Sequence, residues 1–218
     1  MNKIITIGRE FGSGGRELGR RLSETLGYAY YDQEIVAEIA KRTELSEQYV
    51  REIEEHHTMF SYPIHIGRTL STGFNSVVEQ HTKIYGEQSR ILREMAEKSD
   101  CVIVGRCADF VLADKDPFRI FVYADLESKL ARCRAKAPEN EGLTDRELKQ
   151  KIAAVDKGRA KYYAFLTGQD WGSKLNFDLC VNTTKLVIKE IVPVGWPPDS
   201  PPRTHDIVLA ALQTCLYS

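Results

Sequence analysis

Nowhere does the chain carry an apolar run approaching the ~20 residues that a membrane-spanning helix needs. Its first residues also lack a charged-then-apolar leader, because Ile4-Ile5-Thr6-Ile7 is too short for one. An excess of either charge is missing as well: 30 Lys and Arg stand against 31 Asp and Glu, a net charge of −1. That balance provides no broad surface for nucleic acid or anionic lipid, so neither partner is expected. Paired cysteines are absent too. Cys101, Cys107, Cys133, Cys180 and Cys215 include no C-x-x-C, which argues against a disulfide framework or zinc site and for reduced thiols. A cytoplasmic protein is expected. His56-His57 and His65 make no metal site, since adjacent histidines diverge on a helix and no partner spacing supports them. No residue of the chain is expected to be a metal ligand.

What the 218 residues do contain is enough for one good-sized domain. Lys3 to Ile7 is β-branched and mostly apolar, like a short buried strand. A glycine cluster follows, then a helical stripe of Leu18, Leu22 and Leu26 closed by Gly27, then a strand from Tyr28 to Tyr31. The opening is therefore a βαβ unit. Residues 33–98 are mainly helical and more polar, with short helices around Ile35–Ala40 and Tyr49–Ile53 and another resuming near Lys83. The stretch 56–82 has no clear period. Strands are expected at Cys101–Val104, Phe118–Tyr123 and Asp178–Val181, with a helix carrying Leu126 and Leu130 between the last two. Thr144-x-x-Glu147 is a capping box that opens a further helix bearing Leu148, Ile152 and Val155. Prolines in 193–203 exclude regular structure there. The fold class expected is α/β, a parallel sheet with 33–98 as a helical insert.

Gly12-Ser13-Gly14-Gly15-Arg16 lies between the first strand and its helix. Glycines there let backbone N–H groups converge on an anion at a helix N-terminus, whose dipole favours negative charge. Arg16 in the first turn could add bidentate contacts to a phosphate. The plainer alternative is a tight turn with no ligand, but four glycines within eight residues favour phosphate binding. A dinucleotide is the first candidate. G-x-G-x-x-G fails, because Glu17 stands where the last glycine is required. Gly8-x-x-x-Gly12-x-Gly14 does resemble the cofactor turn of short-chain dehydrogenases, with Asp32 placed for a ribose. Their Tyr-x-x-x-Lys pair is missing, however, after all ten tyrosines. The strict P-loop G-x-x-x-x-G-K-[ST] fails in its own way: Gly15 takes the lysine position and the Mg²⁺-binding hydroxyl is missing.

Taken in order, Ile7 to Arg16, Val102-Ile103-Val104-Gly105-Arg106, Ala124 with Arg132 and Arg134, and Asp156-x-x-Arg159 with Tyr162-Tyr163 resemble the cytidylate kinase-like family. This family is a branch of the P-loop nucleoside monophosphate kinases. The resemblance runs to about Asn182-Thr183 and is weakest at 45–80. It implies a P-loop NTPase-type five-stranded parallel sheet flanked by helices, a helical acceptor-binding insert and a lid. On that basis the chain is one kinase-like domain: core 1–32 and 99–192, insert 33–98, lid about 132–160, and a C-terminal segment 193–218. The resemblance further implies ATP and Mg²⁺, an acceptor such as CMP or dCMP, a phosphate contact from Arg106, and lid arginines at Arg132 and Arg159. Where the family usually has Asp after that glycine and arginine, this chain has Cys107, with Asp109 two positions on.

Phosphoryl transfer depends on positioning and charge neutralisation, so arginines suit it. Arg16, Arg132 and Arg159 are the expected catalytic set, and Gly12, Ser13, Gly14 and Gly15 with Arg16 form the expected ATP cradle. Asp32, Arg68, Arg106 and Asp109 are the expected acceptor contacts. Each has a plainer alternative: Arg132 and Arg134 on a solvated helix face, Asp156 and Arg159 paired at i, i+3, Asp32 capping the next helix. Three other functions stay open: a nucleotide sensor without transferase activity, a kinase for a different acceptor, and an NAD(P)-dependent protein. The apolar, proline-rich segment around Trp196 is a candidate interface between copies in a homo-oligomer.

Overall fold

A computed structural model describes residues 2–56, 72–136 and 142–191. At its centre is β1 (Ile4–Arg9), in which Ile4, Ile5, Thr6 and Ile7 are all buried. An unbroken buried run is what a strand covered on both faces requires. β2 (Ala29–Tyr31), β3 (Cys101–Val104), β4 (Phe118–Tyr123) and β5 (Leu179–Asn182) complete the sheet. All pair in parallel, in the order β2-β3-β1-β4-β5.

Eight α-helices surround the sheet among the described residues: α1 (Gly15–Leu26), α2 (Gln33–Thr43), α3 (Glu47–His56), α4 (Thr72–Lys98), α5 (Ala108–Val111), α6 (Leu126–Lys136), α7 (Asp145–Thr167) and α8 (Ile188–Ile191). The period of two along β3 assigns its residues to opposite faces. Val102 and Val104 pack with Ile5, Ile7, Leu18 and Leu22 under α1. Cys101 and Ile103 pack with Ile39, Ile84, Leu92 and Tyr162 under α2, α4 and α7. A smaller cluster joins Leu130 and Cys133 of α6 to Leu148 and Ile152 of α7, with Phe11 against it. The Thr144 capping box is present, with Thr144 N donating to Glu147 Oε2 at 2.8 Å.

Three differences from the sequence expectation matter. The βαβ unit read from the sequence is split, because β3 lies between β1 and β2. β1 runs on to Arg9, past Ile7, through five register pairs with β4. α4 begins at Thr72, well before Lys83. A helix already nucleated by the buried Ile84, Ile91 and Leu92 extends cheaply through residues of poor propensity.

Candidate functional site

β1 delivers the chain at the carboxyl end of the sheet, the rim where open α/β folds bind ligands. Ser13 then closes the following turn on Glu10, its N–H and its hydroxyl both donating to Glu10 O at 3.3 and 2.8 Å. Gly14 is the N-cap of α1 with φ 86°, and no side chain caps this end. The helix dipole and its first N–H groups are thus left to an anion. The turn is held from behind. Arg132 Nη1 donates to Ser13 O at 3.5 Å, and its Nη2 donates to Leu186 O at 3.1 Å and to Thr183 O. Thr183 Oγ1 donates to Ser13 O at 2.7 Å.

A cleft of roughly 660 Å³, its open mouth included, lies across the ends of β1 and β3. Arg9, Arg16, Arg51, Arg106 and Arg159 line one part of it. Tyr162, Tyr163, Trp171 and Phe177 form an aromatic wall that also holds Asp109. α3 packs along α7, and that contact brings Arg51 to the same cleft as Arg159.

Carboxylates offset part of this charge. Arg16 Nε donates to Asp32 Oδ2 at 2.7 Å, while Arg9 Nη2 stands 4.0 Å from Asp32 Oδ1. Asp32 is buried, and its Oδ1 accepts no hydrogen bond. Burial, then repulsion by the Arg159 guanidinium, holds Arg9 well below the ordinary arginine pKa, with Asp32 opposing them. Burial likewise lowers Arg106 to about 10. Asp109 moves the other way. Burial raises its carboxyl above the ordinary range although Tyr163 Oη donates to it at 2.7 Å.

Gly105, Arg106 and Cys107 have φ of 79°, 63° and 52°, three left-handed residues in succession. Two of them carry side chains, which costs about 1–2 kcal/mol each. Backbone strain of this kind persists where its surroundings hold it. Here Gln88 Nε2 donates to Arg106 O at 2.8 Å, and Gln88 Oε1 accepts from Tyr162 Oη at 3.2 Å. The outcome is that Arg106 is aimed at the cleft from the end of β3.

Lys129 of α6 forms a further buried network beside the loop. Its Nζ donates to Asp156 Oδ2 at 2.6 Å and to Glu10 Oε2 at 3.0 Å. The same carboxylates receive Phe11 N–H at 2.7 Å and Ala124 N–H at 3.2 Å. α6, α7 and the loop are thereby pinned together, one turn of α7 from Arg159. Arg159 Nη1 donates to Arg9 O at 3.3 Å, and its guanidinium sits 5.7 Å from the Phe11 ring centroid.

Compared with known proteins, residues 4–185 match the profile of the cytidylate kinase-like family. The chain belongs to that family. A cytidylate kinase of Methanopyrus kandleri is 28% identical, over 99% of this chain and 96% of its own. One of Thermococcus kodakarensis is 28% identical over 83% and 79%. Among solved structures, an uncharacterized protein of Eubacterium ventriosum superposes with a TM-score of 0.63 at 25% identity, over 98% of this chain and 99% of that one. As a member of the cytidylate kinase-like family the chain is a nucleoside monophosphate kinase-like phosphotransferase. Its strand order also speaks against the dinucleotide alternative. In that fold β1 lies between β2 and β4, whereas here β3 and β4 flank it.

Within this family member, the expected residues divide into two places. Arg16, Arg106, Arg159 and Asp109 come together in the cleft, with Asp32 behind Arg16. Gly12, Ser13, Gly14 and Gly15 form the turn beside it. Arg132 does not line the cleft; it grips the carbonyls that support the turn. Asp32 occupies the N-cap position of α2 but makes no capping hydrogen bond, its charge being taken by Arg16. Asp156 bonds Lys129 and Phe11, not Arg159. Arg68 and Trp196 lie outside the described residues. Arg9, Arg51 and Lys129 escaped the sequence reading. Arg9 follows a glycine at a strand end, the same rim signal that marked Arg106. Arg51 and Lys129 are single charges on charged helices and carry no such signal.

Proposed function

We propose that the chain transfers the terminal phosphoryl group of ATP to a nucleoside monophosphate, with CMP or dCMP as the acceptor. One observation supports this most: a cleft at the carboxyl ends of β1 and β3 that joins five guanidinium groups to an aromatic wall bearing one carboxylate. The guanidinium groups suit two sets of phosphates, and the aromatic wall suits a planar base. In this scheme Arg16 and Arg159 hold the donor phosphates, and the uncapped α1 N-terminus receives them. Arg106 and Arg51 take the acceptor phosphate. Asp109, with Tyr163 behind it, reads a donor group on the base. Arg132 acts through the turn it supports.

Mg²⁺ fits this arrangement. Among the described residues no group of three or more His, Cys, Asp or Glu side chains converges. Mg²⁺ needs no such cage, since it keeps several waters and is held by substrate phosphates with one or two carboxylates. Asp32 Oδ1, buried at the rim with no hydrogen bond, would receive one of those waters. When bound, the ion neutralises charge on the phosphates.

Acceptor-dependent ADP formation tests the proposal. Purified protein is assayed with ATP and Mg²⁺ against CMP, dCMP, UMP, AMP and GMP. Turnover with CMP or dCMP above the others is expected. The missing P-loop lysine favours a second function, a nucleotide sensor. A melting temperature raised by ATP with no ADP formed from any monophosphate would establish that function instead.

A further inference from the structure

We propose that Arg9 supplies the cation that the glycine loop lacks, contacting the β- and γ-phosphates of the triphosphate from the end of β1. This rests on the phosphoryl transfer proposed above and names a further residue for it. Gly15 stands where a strict P-loop carries the lysine that reaches those phosphates. A Cβ built on Gly15 would lie 2.5 Å from Arg9 Cβ and 3.1 Å from Arg9 Cγ. Its next neighbour, Val122 Cβ at 3.4 Å, is an ordinary contact. Position 15 is therefore bare because Arg9 fills the space. A side chain at one position excludes a side chain at the other.

Gly105 repeats the relationship on the opposite side, where a Cβ would run into Nη1 of Arg9. Arg9 is thus threaded between the first turn of α1 and the turn after β3, and it reaches the cleft there. Two glycines make its passage. Its own backbone carbonyl accepts from Arg159 Nη1, which fixes the Arg159 guanidinium to the strand end that carries Arg9.

The charge around Arg9 suits an incoming polyanion. Asp32 Oδ1, at 4.0 Å, is beyond hydrogen-bond distance, and its other oxygen is committed to Arg16. Arg159, Arg16 and Arg106 all repel the Arg9 guanidinium, which burial disfavours further. A triphosphate at this point relieves each of those repulsions together. The Arg9 side chain is only 13% exposed, so most of its desolvation is complete before ligand arrives. A donor fixed in advance and shielded from water is the kind that stabilises charge developing in transfer.

The test uses the full chain with Arg9→Met, Arg9→Lys, Gly15→Lys, Arg9→Gly, and the exchange Arg9→Gly with Gly15→Lys. ATP affinity is measured by calorimetry, and transfer to CMP by ADP formation. Arg9→Met is expected to lose at least tenfold in ATP affinity and about 10³-fold in kcat, with Arg9→Lys between it and the wild type. Gly15→Lys alone is expected to lose stability and activity, and the exchange to recover at least tenfold over Arg9→Gly. Arg9→Met with ATP affinity and kcat within threefold of wild type would overturn the assignment. So would an exchange variant no better than Arg9→Gly. If the wild type binds ATP but phosphorylates no acceptor, the proposed function fails alone, and the ATP affinities still decide for or against Arg9. Should Arg9→Met fail to fold, Arg9→Lys and the exchange variant carry the decision.

Discussion

Arg16 and Asp32, on different elements sixteen residues apart, meet at 2.7 Å through Arg16 Nε and Asp32 Oδ2. The pair is lopsided. Asp32 is buried, while the Arg16 side chain is half exposed, and its two terminal nitrogens are not part of the bond. Asp32 therefore orients Arg16 across the mouth of α1 without using up its donors. Removing Arg16 leaves the buried Asp32 carboxylate without a hydrogen-bond donor, which costs about 1–3 kcal/mol. Arg16→Ala is expected to lower the unfolding free energy by about 1–3 kcal/mol. Its ATP Kd should rise by about tenfold or more, the worth of one charge-assisted hydrogen bond. Denaturant unfolding and calorimetry on the same preparation check both halves.

Lys129, which does not line the cleft, should weigh on stability still more. It is buried between Asp156 and Glu10, and Lys129→Met leaves two carboxylates facing each other. Breaking such a pair costs about 3–5 kcal/mol. The effect has a pH signature. Burial works against the ammonium, but its bonds to Asp156 and Glu10 prevail and raise its pKa above the ordinary 10.5. The stability it contributes is fully present below 10.5 and is lost as pH rises through the higher folded value. The gap between wild type and Lys129→Met should therefore be constant from pH 7 to about 10 and narrow above that. Urea unfolding across the series measures it.

Asp109 carries its charge at a disadvantage. Burial raises its pKa in the folded chain above the ordinary 3.8, against the pull of the Tyr163 hydroxyl. A raised carboxyl pKa penalises folding once pH rises from 3.8, and the penalty grows until pH passes the folded value. Asp109→Asn is expected to match or exceed the wild-type melting temperature at pH 7, an advantage that disappears below about pH 4. At the same time its KM for the acceptor should rise by about tenfold, as one buried hydrogen bond is lost. Gain of stability with loss of substrate affinity is the pattern of a residue kept for its site.

Two glycines with similar φ separate backbone strain from crowding. Gly12 and Gly27 have φ of 75° and 67°. A Cβ on Gly27 meets nothing within 4 Å, but on Gly12 it would lie 2.9 Å from Cys133 Sγ and 3.0 Å from Lys129 O. Gly27→Ala should cost about 1–2 kcal/mol, the left-handed strain alone. Gly12→Ala should exceed that by about 1–3 kcal/mol and weaken ATP binding as well. Thermal unfolding with and without ATP distinguishes the two.

Much of this was legible in the amino-acid sequence. The β-branched run Ile4–Ile7 and the apolar run Cys101–Val104 marked buried strands, and their alternation with helical stripes marked a parallel sheet. Glycines between a strand and a helix marked the uncapped start of α1, and the rim position of Arg106 marked the cleft it lines, because both signals are local. Tertiary structure alone decided the rest. It set β3 between β1 and β2 and brought Arg51 to the cleft that Arg159 lines by packing α3 on α7. It turned Arg132 onto Ser13 O and Leu186 O, and it gave Asp32 to Arg16 in place of the α2 cap. Each of those is a contact between residues far apart in the chain, and such contacts leave no period to read. The bare position at Gly15 shows the division most clearly: the sequence records a missing lysine, while the three-dimensional packing shows that Arg9 already occupies the space.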